Sequence, residues 1–164
     1  MTGIAAPPQT VADLMRIIRA DLDTWAAKYK GATSIAADRY NAVELLSQRP
    51  GGLRVVISYS GFKKRGDYEE TKAVDHTFKF LITTGRVLTA KPGEATVNPI
   101  AGQTPLYELT DRLAARLRKM EFPDGSTEGT LDLTNGDEVT TPEGVFVDAY
   151  EITGTLGATQ SDQD

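Results

Sequence analysis

Residues 104–120 constrain the fold of this chain more than any other segment. Their large apolar side chains recur every three or four positions, as they do along one side of an amphipathic helix: Leu106, Leu109, Leu113, Leu117 and Met120. Thr104 suits the N-cap and Pro105 suits the first helical position, while Pro123 ends the pattern. We therefore predict a helix whose apolar stripe is covered by the rest of the chain.

A second amphipathic helix is predicted from residue 10 onward. Thr10 and Asp13 have the spacing of a capping box, with Asp in place of the more usual Glu. Gly31 is a natural residue to end the helix. The positions between them form one apolar face: Val11, Leu14, Met15, Ile18, Leu22, Trp25, Ala26 and Tyr29. A face of this length predicts a core helix rather than one exposed for binding in a groove.

Segments of alternating apolar and polar residues predict strands before and after the 104–120 helix: residues 53–60, 76–84, 130–135 and 145–156. We expect the first of them to be half-buried. Tyr40, Val43 and Leu46 at helical spacing predict a short helix over residues 39–48. Asn135-Gly136 predicts a tight turn.

These elements predict an α+β fold in a single domain. We expect a mainly antiparallel sheet packed by two amphipathic helices. The domain covers residues 10–156, after an irregular N-terminal arm, residues 1–9, and before a disordered acidic tail, residues 157–164. The chain's 164 residues are enough for one domain with a substantial core.

Composition narrows the classes of function. Cysteine is absent, which excludes disulfides and thiolate chemistry, and the formal net charge of −5 disfavours nucleic acid as the main ligand. Residues 1–9 do not have the pattern of a signal peptide. No apolar stretch approaches the roughly 20 residues of a membrane helix, so we expect no membrane partner and a cytoplasmic site of synthesis.

Catalytic, metal-binding and cofactor-binding residues are not predicted. His76 is the only histidine, and a strand-start position on a half-exposed sheet explains it. The carboxylates near residue 135 lack the spacing of a calcium loop, and no glycine-rich phosphate motif is present. The chain is therefore expected not to be an enzyme, although carboxylates distant in sequence can still meet in space.

One candidate partner-contact loop stands out in the charged connection between the first two predicted strands, residues 61–75. It combines basic and aromatic side chains: Phe62, Lys63, Lys64, Arg65 and Tyr68. The alternative is a solvated hairpin tip, because Asp67, Glu69 and Glu70 largely cancel the charge. Residues 85–102 form a second long connector, and long loops in compact domains are often functional.

The side of the 104–120 helix away from the leucines is a candidate subunit contact. It carries a tyrosine with small and charged neighbours: Tyr107, Asp111, Ala114 and Arg118. Glu108, Arg112, Arg116 and Lys119 are expected to line an exposed side of the same helix. The basic residues there suit the C-terminal end of the helix dipole.

The order of elements, with LYELTDRLAARLRKM (residues 106–120) and GTLDLTNGDEVTTPEGVFVDAYEITGTL (residues 129–156), resembles the tail terminator (tail-completion) proteins of long-tailed bacteriophages. The resemblance covers residues 10–156 and rests on length, order and character rather than on a motif. It implies a structural virion protein without catalytic activity. Such proteins form a hexameric ring on the head-proximal end of the tail tube and stop tube polymerisation. They also dock head-completion (stopper) proteins, and DNA passes through without specific binding.

On this resemblance, the chain is made in the host cytoplasm and resides in the virion tail, with the loops 61–75 and 85–102 contacting its partners. Three alternatives stay open. The nearest is another head–tail joining protein, either a connector or a tube subunit. The others are an intracellular binding module and a hydrolase that uses scattered carboxylates such as Asp132 or Asp137.

Overall fold

A computed structural model describes residues 10–47, 52–66, 68–84, 97, 104–122, 127, 129–139 and 149–160. The elements in chain order are α1 (Val11–Ala27), β1 (Ala32–Ile35), α2 (Arg39–Ser47), β2 (Arg54–Lys64), α3 (Tyr68–Thr71), β3 (Ala73–Thr83), α4 (Leu106–Lys119), β4 (Asp132–Glu138) and β5 (Ala149–Thr159). The predicted arm 1–9, nearly all of the connector 85–102 and residues 145–148 of the last predicted strand lie outside the described residues.

The strands form one five-stranded mixed sheet in the order β1-β2-β3-β5-β4. β1 pairs with β2 in parallel, and the pairs β2–β3, β3–β5 and β5–β4 are antiparallel. The α+β class is therefore confirmed. The parallel strand β1 was not predicted, because four residues are too few to establish an alternating pattern. None of the described helices is long and apolar enough to cross a membrane.

The sheet is buried on both faces rather than one. α1 and α4 cover one face, where Val55, Ile57 and Phe80 belong to the larger core cluster. α2 covers the other face, where Val56 and Leu81 pack in a second cluster. The prediction of a half-buried first strand is thus wrong, because a third helix shields its second face. Tyr40, predicted on the inner side of α2, is 75% exposed.

α1 begins as predicted and ends differently. The Thr10 hydroxyl accepts from the Asp13 backbone N–H at 3.1 Å, and the Asp13 carboxylate accepts from the Thr10 N–H at 3.3 Å, which confirms the capping box. The residue with a positive φ after the helix is Lys30 (φ 56) rather than Gly31. A Cβ on Gly31 would lie 2.8 Å from both the Cβ and the carbonyl oxygen of Leu53. Glycine is therefore needed there for close packing of the backbones.

α4 carries the predicted stripe, and all five of its residues are at most 2% exposed. The predicted N-cap is wrong by one residue. Pro105, with φ −58 and ψ 142, occupies the N-cap, and its carbonyl accepts from the Leu109 N–H at 3.0 Å. Thr104 lies one residue earlier, and no side chain caps this helix.

The closing strands also differ from prediction. Asn135-Gly136 lies inside β4, opposite Thr153 and Ile152 of β5, instead of forming a turn. The pairing of β4 with β5 shifts register between Leu133 and Asn135, as at a β-bulge. A Cβ on Gly136 would lie 3.1 Å from the Tyr150 ring. β5 continues to Thr159, beyond the predicted domain end at residue 156, and residues 161–164 lie outside the described part.

Candidate functional site

The predicted partner-contact loop is mostly regular structure. Phe62, Lys63 and Lys64 belong to β2, Arg65 follows the strand, and Tyr68 begins the short helix α3. The prediction of a long loop over residues 61–75 is therefore wrong. β2 and β3 remain paired to Lys64 and Val74, past a register shift between Tyr59 and Phe62. We call the end of this hairpin, residues 62–66 and 68–75, the tip.

Tyr68 organises the tip. The Nζ atoms of Lys64 and Lys72 lie 4.5 and 5.1 Å from the centre of its ring, within cation–π distance. Its hydroxyl donates to the Gln160 side-chain oxygen at 2.9 Å, and the Gln160 N–H donates to the Lys72 carbonyl at 2.9 Å. Gln160, the residue after β5, thus holds the tip in place, which favours a defined contact surface over a freely moving loop.

Charge at the tip is only partly neutralised. Arg65 donates to one oxygen of the Asp75 carboxylate from Nε at 3.1 Å and from Nη2 at 2.8 Å. Lys63 and Lys64 have no salt bridge within the described residues. Phe62 is 49% exposed beside them. An exposed aromatic beside two cations without a described carboxylate partner is suited to an acidic, partly apolar partner surface.

His76 is buried rather than half-exposed, at 3% of its surface. Its Nδ1 lies 2.8 Å from the Tyr59 hydroxyl, and Phe62 packs edge-on against the imidazole. Burial lowers the pKa of His76, opposed in part by the Asp75 carboxylate. The His76 ring packs among the rings of Tyr59, Phe62 and Phe78. The described residues contain no group of three or more metal-ligating side chains.

The predicted subunit contact on α4 is exposed at three of its four residues. Tyr107 is 45% exposed and packs edge-on against Tyr150 of β5, with 6.2 Å between ring centres. Asp111 and Arg118 are exposed, whereas Ala114 is partly buried against the main core. The four residues form a strip along the helix.

Arg112 and Arg116 do not simply line an exposed side of α4, as predicted. Arg116 donates to both oxygens of Asp21 on α1, and Arg112 donates to the Tyr29 hydroxyl at 3.0 Å as well as to Glu108 at 2.5 Å. Arg116 thus joins the two long helices, and Arg112 joins α4 to the turn that follows α1. Asp21 is 95 residues from Arg116, so no local sequence pattern indicates the pair.

A buried carboxylate was also missed. Glu151 is 5% exposed on the α2 face of β5. The Arg39 guanidinium contacts one of its oxygens, and the Lys79 Nζ lies 3.6 Å from the other. The two cations also line a cavity of about 360 Å³. The sequence signal for this site was an acidic residue, Glu151, in the middle of an apolar strand pattern. Its contact with Arg39 attaches α2 to the sheet.

The two outer strands of the sheet are unlike each other. β4 has six exposed residues out of seven, three of them acidic: Asp132, Asp137 and Glu138. β1 has only four residues and ends at Ile35, which is 40% exposed. Each pairs on one side only within the described sheet, so each offers backbone N–H and C=O groups to a further strand.

Comparisons with protein-family models and with curated protein sequences find no match to this chain.

Proposed function

We propose that this chain is a structural virion protein that forms a ring, a homohexamer, on the head-proximal end of a bacteriophage tail tube. In this role it stops tube polymerisation, docks head-completion proteins and lets DNA pass without binding it specifically. It is made in the host cytoplasm and then resides in the virion tail. It acts by binding copies of itself and its partners, without catalysis or a cofactor.

The observation that carries the proposal is the direction of the two outer strands. β1, β2 and β5 point in one direction along the sheet. β3 and β4 point in the opposite direction. β4 is therefore antiparallel to β1. When identical copies stand side by side in one orientation, β4 of one copy and β1 of the next run antiparallel, so the two edges can pair as neighbouring antiparallel strands.

Such a contact joins two different surfaces of the same chain. Repetition of a heterologous contact gives a closed ring if the rotation between copies closes, and an open filament if it does not. The wall of the ring would be a mainly antiparallel sheet backed by the two amphipathic helices α1 and α4. The exposed acidic residues of β4 limit its pairing with unrelated strands.

The tip and the α4 strip then supply further contacts. The tip, with Phe62 exposed beside Lys63 and Lys64, suits an acidic rim on the tube or the head-completion protein. The α4 strip of Tyr107, Asp111, Ala114 and Arg118 suits a neighbouring copy. In this assignment the tip gives partner specificity and the sheet edges give assembly.

Negative-stain microscopy and native mass spectrometry of the purified chain test the ring. We expect closed rings that shorten tubes when added to polymerising tube protein. Long hollow rods formed by the chain alone would instead identify a tube subunit. A monomer at high concentration, also in the presence of tubes, would overturn the proposal in favour of a separate binding module.

A matched pair of variants tests the edge contact. Ile35→Asp places a carboxylate at the β1 edge, opposite the acidic β4 edge of the next copy, so rings should dissociate. Tyr40→Asp makes the same kind of change at an exposed side chain on α2 and should leave rings intact. Equal behaviour of the two variants would contradict the edge contact.

The double variant Lys63→Glu, Lys64→Glu tests docking by the tip separately. Its rings should still form but should dock their partner less well.

A further inference from the structure

β2 is longer than the strand that covers its outer side. β1 pairs with residues 54–57 of β2, and the Ala36 N–H just after β1 donates to the Ile57 carbonyl at 2.9 Å. Beyond that point β2 continues to Lys64, and within the described residues it pairs there with β3 alone. We call this part of β2, residues 58–64, the open edge. It is separate from the β1 edge that the proposed ring contact uses.

The burial of β2 changes close to the point where β1 ends. Residues 54–58 are buried, whereas Phe62, Lys63 and Lys64 are exposed, and a Cβ on Gly61 would meet nothing within 4 Å. Among the described residues, no backbone group bonds to the outer side of the open edge. Every second residue of a strand directs its N–H and C=O to the same side, so these groups are available to a further strand.

The open edge is selective about what can pair with it. The register with β3 shifts between Tyr59 and Phe62, and Gly61 there has a φ of 99. Bulges and lysines are common means of keeping exposed edges from pairing with one another. The like charges of Lys63 and Lys64 oppose pairing between two copies of this edge, whereas an acidic strand would be attracted to it.

The two faces of the open edge differ in character. Phe62 lies opposite His76 and packs edge-on against its ring, with 6.3 Å between ring centres. Lys63 lies opposite Asp75 on the other face, but that carboxylate accepts from Arg65 at 2.8 Å. A strand beside β2 would therefore place an apolar side chain next to Phe62 and an acidic side chain next to Lys63, on alternate residues.

The hairpin that carries the open edge is held in shape by the rest of the fold. The Lys64 Nζ lies 4.5 Å from the centre of the Tyr68 ring, and the Tyr68 hydroxyl donates to the Gln160 side chain at 2.9 Å. β3 is paired with β5 as far as Ala73. Because this edge is already ordered, adding a strand to it costs less conformational entropy than ordering a loop would.

We propose that the open edge binds an extended segment of a partner protein, in which acidic and apolar residues alternate, as an added β-strand. Backbone hydrogen bonds to the outer side of β2 supply affinity, and Phe62 and Lys63 select the side chains. The inference rests on the docking role proposed for the tip, and it names the class of segment that the tip recognises.

A labelled, capped peptide that alternates glutamate and valine over the length of the open edge tests the proposal. Fluorescence anisotropy measures its binding to the full chain. We expect saturable binding, and binding at least about tenfold weaker for the matched peptide that alternates lysine and valine. Absence of binding up to about 1 mM, or equal binding of the two peptides, would overturn the proposal.

Backbone methylation of the peptide separates strand addition from simple attraction between charges. Every second N–H of an added strand points at β2, and the others point away from it. Methylation of one alternate set of N–H groups should therefore abolish binding, while methylation of the other set should leave the affinity within about threefold. Equal effects of the two sets would overturn strand addition. Because only the peptide is altered, the fold of the chain is unaffected.

Variants locate the contact. Lys63→Glu should weaken binding by about fivefold or more, whereas Lys119→Glu, the same charge change at an exposed position of α4, should stay within about twofold. Phe62→Ser should weaken it by about threefold or more, and Tyr40→Ser on α2 is the control for an exposed aromatic. Controls that weaken binding as much as the open-edge variants would overturn the proposal.

Dimers of the chain that the peptide separates would also overturn the proposal, because a second copy would then occupy the open edge. The titrations depend on neither ring formation nor tail assembly. Rings that form in a chain unable to bind the peptide would remove strand addition and leave the proposed function standing. Peptide binding by a chain that forms no rings would do the reverse.

Discussion

Arg116 and Asp21 join the two long helices by a paired hydrogen bond, in which Nε and Nη2 of the arginine lie 2.6 and 2.5 Å from the two carboxylate oxygens. Asp21 is on α1 and Arg116 is on α4, so the pair fixes the relative position of the helices that cover the larger core. The planar guanidinium matches both oxygens at once, which lysine cannot do.

We expect Arg116→Lys to destabilise the chain by about 1 kcal/mol, because the paired geometry is lost while the charge remains. The effect is modest because the Arg116 side chain is 40% exposed and solvent screens its charge. Urea unfolding measures the change. Arg118→Lys on the same helix is exposed and should be close to neutral. An equal effect of the two substitutions would show that the pair with Asp21 adds no stability.

The pH dependence of stability should report on His76. Burial lowers the pKa of His76 in the folded state from its ordinary value of 6.5, so the unfolded state binds the proton first. The stabilising contribution is therefore full above pH 6.5 and decreases as the pH falls from there towards the folded-state pKa. Urea unfolding at a series of pH values measures the slope.

The variant His76→Asn removes the only imidazole in the chain and serves as the control for that pH series. Its stability should vary less between pH 6.5 and the onset of carboxylate titration. A slope that survives in His76→Asn would assign the pH dependence to other groups.

Gly31→Ala should destabilise the fold by about 1–3 kcal/mol, because the added methyl would lie 2.8 Å from backbone and side-chain atoms of Leu53. Gly66→Ala is the matched comparison, since a Cβ there meets nothing within 4 Å and its φ is not positive. Thermal and urea unfolding compare the two. Similar stabilities would mean that the start of β1 moves away from Leu53 without cost.

Glu151→Gln should loosen α2. The substitution keeps the shape of the side chain and leaves Arg39 and Lys79 facing a neutral, buried group, which we expect to cost about 1–3 kcal/mol. Hydrogen exchange should rise in α2 more than in α1. Glu138→Gln on the exposed strand β4 is the control. Unchanged exchange in α2 would contradict the role assigned to this carboxylate.

The sequence pattern predicted correctly those elements that depend on residues close to one another in the chain. The capping box of Thr10 and Asp13 and the leucine stripe of α4 follow from residues three and four positions apart. The Asn135-Gly136 turn failed for the opposite reason, because pairing with β5 holds that dipeptide in an extended strand. The burial of β2 on both faces likewise depends on α2, whose position the strand's own residues do not indicate.

The candidate sites also differ in whether their residues are neighbours in the sequence. The tip was predicted because Phe62, Lys63, Lys64, Arg65 and Tyr68 are neighbours in sequence, although their secondary structure was misjudged. The cavity lined by Lys28, Lys30, Thr84 and Thr104 could not be predicted, because these residues come together only after the sheet and both long helices have formed. The tie between Arg116 and Asp21 spans 95 residues and has the same explanation.

The Tyr68 hydroxyl donates to the Gln160 side chain and the Gln160 N–H donates to the Lys72 carbonyl, which places the residue after β5 directly beside the tip. The chain has no cysteine, so Gln160→Cys would give a single attachment point for a fluorophore. A dye there would sense a docked partner through its change in surroundings, while Phe62, Lys63 and Lys64 stay unmodified. Position 160 thus gives the molecule a reporter site next to the surface that we propose for docking.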